Sequence, residues 1–139
     1  MLVDNKAVFR RYVEELWNRK NIAAIDELIA PDFVGRIAGS PDIRGLEGYK
    51  QFFLATCTAF PDLQNTVESV VAEGDAVAAR WTSRGTHKGE YLGIAPTGKY
   101  VTGTLTAIYR IVNGKIAECY GDADNLGLLQ QLGVVSLPG

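Results

Sequence analysis

The chain has 139 residues, 47% of them hydrophobic, and sets 14 Lys and Arg against 16 Asp and Glu for a formal net charge of −2. That length suffices to bury most of the surface an unfolded chain exposes and predicts one domain over residues 1–139. The balanced charge, with no cluster of Lys or Arg to neutralise phosphates, argues against nucleic acid, and the absence of an apolar run of roughly 18 residues argues against a membrane helix.

The opening MLVDNKAVFRRY carries charges where a secretory leader would be apolar, so the reading is a soluble, cytoplasmic protein. Cys57 and Cys119 stand far apart without a CxxC or His companion, which predicts packing residues rather than a disulfide framework or a metal site. Asp4 can cap a first helix whose stripe is Val8, Phe9, Tyr12, Val13, Leu16 and Trp17, ending in Asn18-Arg19-Lys20. Asn21 can cap a second through Ala30, with Ile22, Ile25, Leu28 and Ile29 apolar and Pro31 as the stop. A short strand over Phe33 to Ala38 follows. A third helix opens at Gly45 and Glu47, carries Tyr49, Phe52, Phe53, Thr56 and Cys57, and ends near Pro61.

From there the periodicity is that of strands: Leu63 to Glu73, Ala76 to Thr86, Tyr100 to Val112 and Lys115 to Tyr120. Gly74-Asp75, Pro96-Thr97-Gly98 and Asn113-Gly114 supply the turns. A last helix, Leu126 to Leu132, has Gly133 at its C′ position. Helices first and a run of antiparallel strands afterwards predict an α+β fold.

A two-residue turn at Asn113-Gly114 sets the register of the final hairpin. Without a bulge, Tyr109 faces Glu118, Ala107 faces Tyr120, Leu105 faces Asp122 and Gly103 faces Asp124. Glu118, Asp122 and Asp124 then share the apolar face, a conflict with the cost of burying carboxylates that points to a functional site. On the preceding strand, Val77, Ala79, Trp81, Ser83 and His87, the single histidine, share one face. His87 reads either as a strand-end residue bonded to the backbone or as a group that polarises a carbonyl.

The stretch Gly85-Thr86-His87-Lys88-Gly89-Glu90-Tyr91-Leu92-Gly93-Ile94-Ala95-Pro96-Thr97-Gly98-Lys99 resembles the G-T-H-x-G-x-[FY]-x-G-I-x-P-T-G-[KR] segment of SnoaL-like polyketide cyclases and ester cyclases, in the NTF2-like superfamily. Arg110 to Glu118 and Asp124 to Gly133 are similar to that family's closing strand and terminal helix, and Tyr12 to Trp17 with Asp26 to Val34 to its first two helices. The resemblance implies an NTF2-like cone: three N-terminal helices on a curved, mostly antiparallel sheet enclosing an apolar pocket, with a short C-terminal helix and assembly as a homodimer or higher homo-oligomer. It implies a small apolar, polyketide-like substrate and ring closure by intramolecular aldol condensation without metal or cofactor.

The aspartate that removes a proton from carbon in that chemistry corresponds to Asp124, with Asp122 as the fallback and its tuning neighbour. His87, Tyr91 or Tyr120 would donate to the enolate oxygen. In a cone of this kind Tyr12, Trp17, Phe53 and Trp81 serve as core and as substrate-binding wall together. Asp124 also suits the N-cap of the last helix. The sequence lacks a P-loop, a GxSxG elbow and a dinucleotide fingerprint. A non-catalytic small-ligand-binding protein, or an isomerase or hydrolase on the same scaffold, stands as the alternative.

Overall fold

The computed structural model describes residues 4–136 and 138. Helix α1 (Asn5–Arg11) starts where the Asp4 carboxylate accepts the Ala7 N–H at 3.2 Å. Instead of continuing as an α-helix, the chain winds into a π-helical segment, Tyr12–Asn18. Asn18 then reaches across to the sheet: its side-chain oxygen accepts the Asn65 N–H at 2.8 Å and its amide donates to the Asn65 carbonyl at 3.0 Å. Helix α2 (Ala24–Leu28) is shorter than its apolar stripe suggests, because strand β1 (Ile29–Ile37) begins immediately after it. Pro31 therefore lies within β1, where the pairing is already irregular between Ile29 and Val34 and a missing N–H costs little.

A two-residue strand, β2 (Ile43–Arg44), precedes α3 (Gly45–Ala59); the sequence pattern gave no sign of it. Strands β3 (Gln64–Glu73), β4 (Ala76–Thr86), β5 (Tyr100–Val112) and β6 (Lys115–Ala123) follow, and α4 (Asn125–Gln131) closes the fold. The sheet order is β2-β1-β6-β5-β4-β3, antiparallel except where β1 runs parallel to β6. Asn113 and Gly114 both have positive φ, 53° and 75°, as a type I′ turn needs. At the far end Gly133, at φ 82°, completes a Schellman motif in which its N–H meets the Gln130 carbonyl and the Val134 N–H meets that of Leu129.

The core lies between the concave sheet face and the helices, with Phe9, Leu16, Ile25, Leu28, Val77, Tyr109 and Ile116 almost fully buried. Each such side chain contributes about 1.5–3 kcal/mol of apolar transfer.

One expectation is overturned in the last hairpin. Val112 pairs with Lys115 and Ile111 with Ile116, but Arg110 then pairs with Glu118, so β6 carries one extra residue, Ala117. This bulge reverses every later side chain. Cys119, Gly121 and Ala123 face inward, while Glu118, Tyr120 and Asp122 join the outer face, because a period-two strand changes sides with a one-residue slip. Glu118 pairs there with Arg110 at 3.3 Å.

Candidate functional site

A cavity of about 180 Å³ opens between the concave sheet and the helices. Its wall is built by residue size as much as by residue type. Gly103 faces it with nothing within 4 Å of where a Cβ would stand, and the inward Gly121 already sits so close to Ala107 that an added Cβ would approach its Cβ to 3.1 Å. Large rings enclose the remaining sides: Tyr12 and Trp17 from the π-helical segment, Tyr49 and Phe52 from α3, Phe33 from β1 and Trp81 from β4.

The π-helical winding explains how Tyr12 and Trp17 serve one site. In an α-helix, residues five apart point about 140° away from each other; hydrogen bonding from i to i+5 brings them onto one face. Both converge on the Tyr49 hydroxyl. Trp17 Nε1 donates to it at 3.2 Å, and Tyr12 and Tyr49 hydrogen-bond each other. Burial, the chief cause, raises the pKa of both phenols above the ordinary tyrosine value, so both remain protonated donors. Nearby, burial pushes the Cys119 thiol up to about 12.

At the other side of the cavity, Asp124 supplies the one charged side chain among the described lining residues. It follows β6 directly, its N–H donating to the Thr104 carbonyl at 3.1 Å. Its Oδ1 accepts the Gly127 N–H at 2.8 Å, making it the N-cap of α4, and the residue remains open to solvent.

The other residues nominated from sequence are dispersed. Tyr91 lines the cavity from the β4–β5 connection. Phe53 is not among the lining residues; it stacks behind Trp17, ring centroids 5.0 Å apart. Asp122 and Tyr120 lie across the sheet in a shallow outer groove, with the Arg36 guanidinium 6.0 Å from the Tyr120 ring.

His87 is wholly buried beside Phe60 rather than in the cavity wall. Its Nδ1 accepts the Thr97 N–H at 3.1 Å, and its Nε2 has no partner among the described residues. The main chains of His87, Gly98 and Lys99 bond as well, so the imidazole pegs the Pro96-Thr97-Gly98 turn.

Tyr49 escaped the sequence reading, which took it for part of a helical core stripe. Its hydroxyl acquires a role only through the π-helical winding of another helix. Among the described residues, no group of three His, Cys, Asp or Glu is arranged to hold a metal ion, and no helix is long and apolar enough to cross a membrane.

Comparison with known proteins gives concordant matches. The chain is 29% identical over 126 residues to two aklanonic acid methyl ester cyclases, DauD of Streptomyces sp. (strain C5) and DnrD of Streptomyces peucetius; each match takes in 88% of this chain and 78% and 87% of those proteins. Among solved structures, IdmH of Streptomyces antibioticus superposes with a TM-score of 0.80 at 33% identity, covering 95% of this chain and all of IdmH. AclR of Streptomyces galilaeus, a proposed hydroxylase, superposes at 0.83 with 32% identity, over 97% and 88% of the two chains. The family model described as SnoaL-like polyketide cyclase matches residues 7–132, and with the cone and its aromatic cavity this establishes that the chain belongs to the SnoaL-like polyketide cyclase family.

Proposed function

We propose that the protein is a cyclase-type enzyme that holds an apolar, carbonyl-bearing polycyclic substrate in the cone and uses Asp124 to take a proton from an activated carbon. The observation that carries this reading is that, among the described residues, Asp124 brings the single carboxylate to the wall of an otherwise uncharged, aromatic cavity. A carboxylate is a weak base, so it serves carbon acids already activated by two flanking carbonyls. Oδ1 is occupied by the α4 cap, which leaves Oδ2 to receive the proton.

Ring closure balances internally. The C–H electron pair adds to a ketone carbon of the same molecule, the Asp124 carboxylate holds the released proton, and the new alkoxide is reprotonated, so substrate and product have the same mass. Asp122 faces the outer groove and His87 has its acceptor nitrogen engaged, so neither enters this scheme.

The curated relatives are named for aklanonic acid methyl ester, which makes it the substrate to try first. Incubation should yield an isomer of unchanged mass and different retention, and Asp124→Asn should suppress its formation. Retained isomer formation in that variant removes Asp124 as the base. A second reading, a binding protein without turnover, is favoured by the solvent-open, cap-engaged state of Asp124. It predicts saturable binding of the ester with no isomer formed.

A further inference from the structure

The aromatic side of the cavity carries more hydrogen-bond donors than acceptors. Trp17 Nε1–H, Tyr12 O–H and Tyr49 O–H share two phenol oxygens among them. Trp17 donates to Tyr49, and one phenol donates to the other. Whichever phenol donates, one O–H is left over, because a hydroxyl supplies a single proton.

Beside this trio stands Trp81. It lines the cavity, is 6% exposed, and its Nε1–H has no acceptor among the described residues. Its ring centroid is 6.4 Å from that of Tyr12 and 6.5 Å from that of Trp17. An unfilled buried donor destabilises the fold, and Phe at position 81 would avoid that cost.

Trp81 also lies in the row of the sheet that ends beside Asp124. It pairs with Leu105, and Leu105 with Ala123, whose next neighbour is Asp124. Two strand spacings, about 10 Å, separate Trp81 from Ala123. A fused-ring molecule in the cone therefore has donors at one side and a carboxylate at the other.

We propose that Trp81 Nε1–H and the spare O–H of the Tyr12–Tyr49 pair form an oxygen-recognition subsite that hydrogen-bonds a carbonyl or enolate oxygen of an otherwise apolar substrate. The subsite rests on the reading of the cavity as a small-molecule site but does not depend on Asp124 being a base. It selects ketones and phenols over hydrocarbons of the same shape, and it opposes protein donors to an oxygen that gains negative charge when the neighbouring carbon is deprotonated.

The test uses the matched probes 1-indanone and indane, which share a ring frame and differ in one carbonyl. In equilibrium dialysis with the full chain, 1-indanone should bind about fivefold more tightly than indane after correction for partition into hydrocarbon, the worth of one neutral hydrogen bond. In the wild-type complex its carbonyl stretch should move to lower frequency than in cyclohexane, a measurement that needs no variant. Trp81→Phe should reduce the ketone preference severalfold, with indane affinity in the same variant reporting any repacking. An unshifted stretch, or a preference unchanged in Trp81→Phe, overturns the subsite while leaving the cavity reading intact. Failure of both probes to bind overturns the two together. Loss of turnover in Asp124→Asn with the ketone preference retained supports both independently.

Discussion

A cap and a proposed base meet in Asp124, and one pair of substitutions separates them. As the N-cap of α4 its Oδ1 accepts the Gly127 N–H, and a side chain without an acceptor leaves that donor unsatisfied. Asp124→Ala should therefore cost about 1 kcal/mol. With an unfolding entropy of about 2.1 cal/mol/K per residue, a chain of 139 residues gives about 0.29 kcal/mol/K, so the melting temperature should fall by about 3–4 °C. Asparagine caps as well as aspartate and forfeits only the charge at the helix N-terminus, about 0.3 kcal/mol at an exposed site, or roughly 1 °C. Proton abstraction does not distinguish them: both variants lack the proposed base and should lose about 100-fold or more in kcat. Calorimetry and turnover of the methyl ester measured on the same preparations check the two halves. Asp124→Asn with kcat within tenfold of wild type would refute the catalytic role, and Asp124→Ala with an unchanged melting temperature would refute the cap.

Cys119, with its thiol near 12, carries about one thiolate in ten thousand at pH 8, so iodoacetamide followed by mass spectrometry should find it unmodified in the native protein and labelled only after unfolding. Gly103→Leu extends a side chain into the cavity from a Cβ position with no atom within 4 Å, at a residue without positive φ; 1-indanone binding should disappear while the melting temperature stays within about 2 °C of wild type. Asp62 is held below its ordinary value chiefly by the Thr86 hydroxyl, with the Thr86 N–H adding to it, both at 2.7 Å. A lowered folded-state pKa means stability that is present above about 4 and lost as pH falls through the folded value, so denaturant titrations should show Asp62→Asn less stable than wild type at pH 7 and the gap closing towards pH 2.

Much of the fold was legible because local chemistry specifies it. Asn113-Gly114 adopts the turn its residue types favour, Gly133 ends the last helix in the left-handed region, and Val77, Ala79, Trp81 and Ser83 point inward on β4 as their alternation requires. The site was only partly legible. Tyr12, Trp17, Trp81 and Tyr91 do line the cavity, but Phe52 rather than Phe53 joins them, since neighbouring positions on α3 differ by only about 100°.

Three acids on an apolar face seemed to mark chemistry. In β6 that conflict was the mark of a bulge: with Ala117 as the extra residue, Glu118 and Asp122 return to solvent and the alternation becomes regular. The π-helical segment hid Tyr49 in the same way, because a change of winding leaves no trace in the spacing of apolar residues.

The bulge makes the chemical character of the cavity wall a matter of register. With Ala117 deleted the ladder would run evenly and Glu118 would still pair with Arg110 and Cys119 with Tyr109, so Cys119, Gly121 and Ala123 would keep the inner face. An even ladder that retained Ala117 would instead turn Glu118, Tyr120 and Asp122 inward, so the neutrality of the wall is secured by where the strand accommodates one surplus residue, outside the pocket itself.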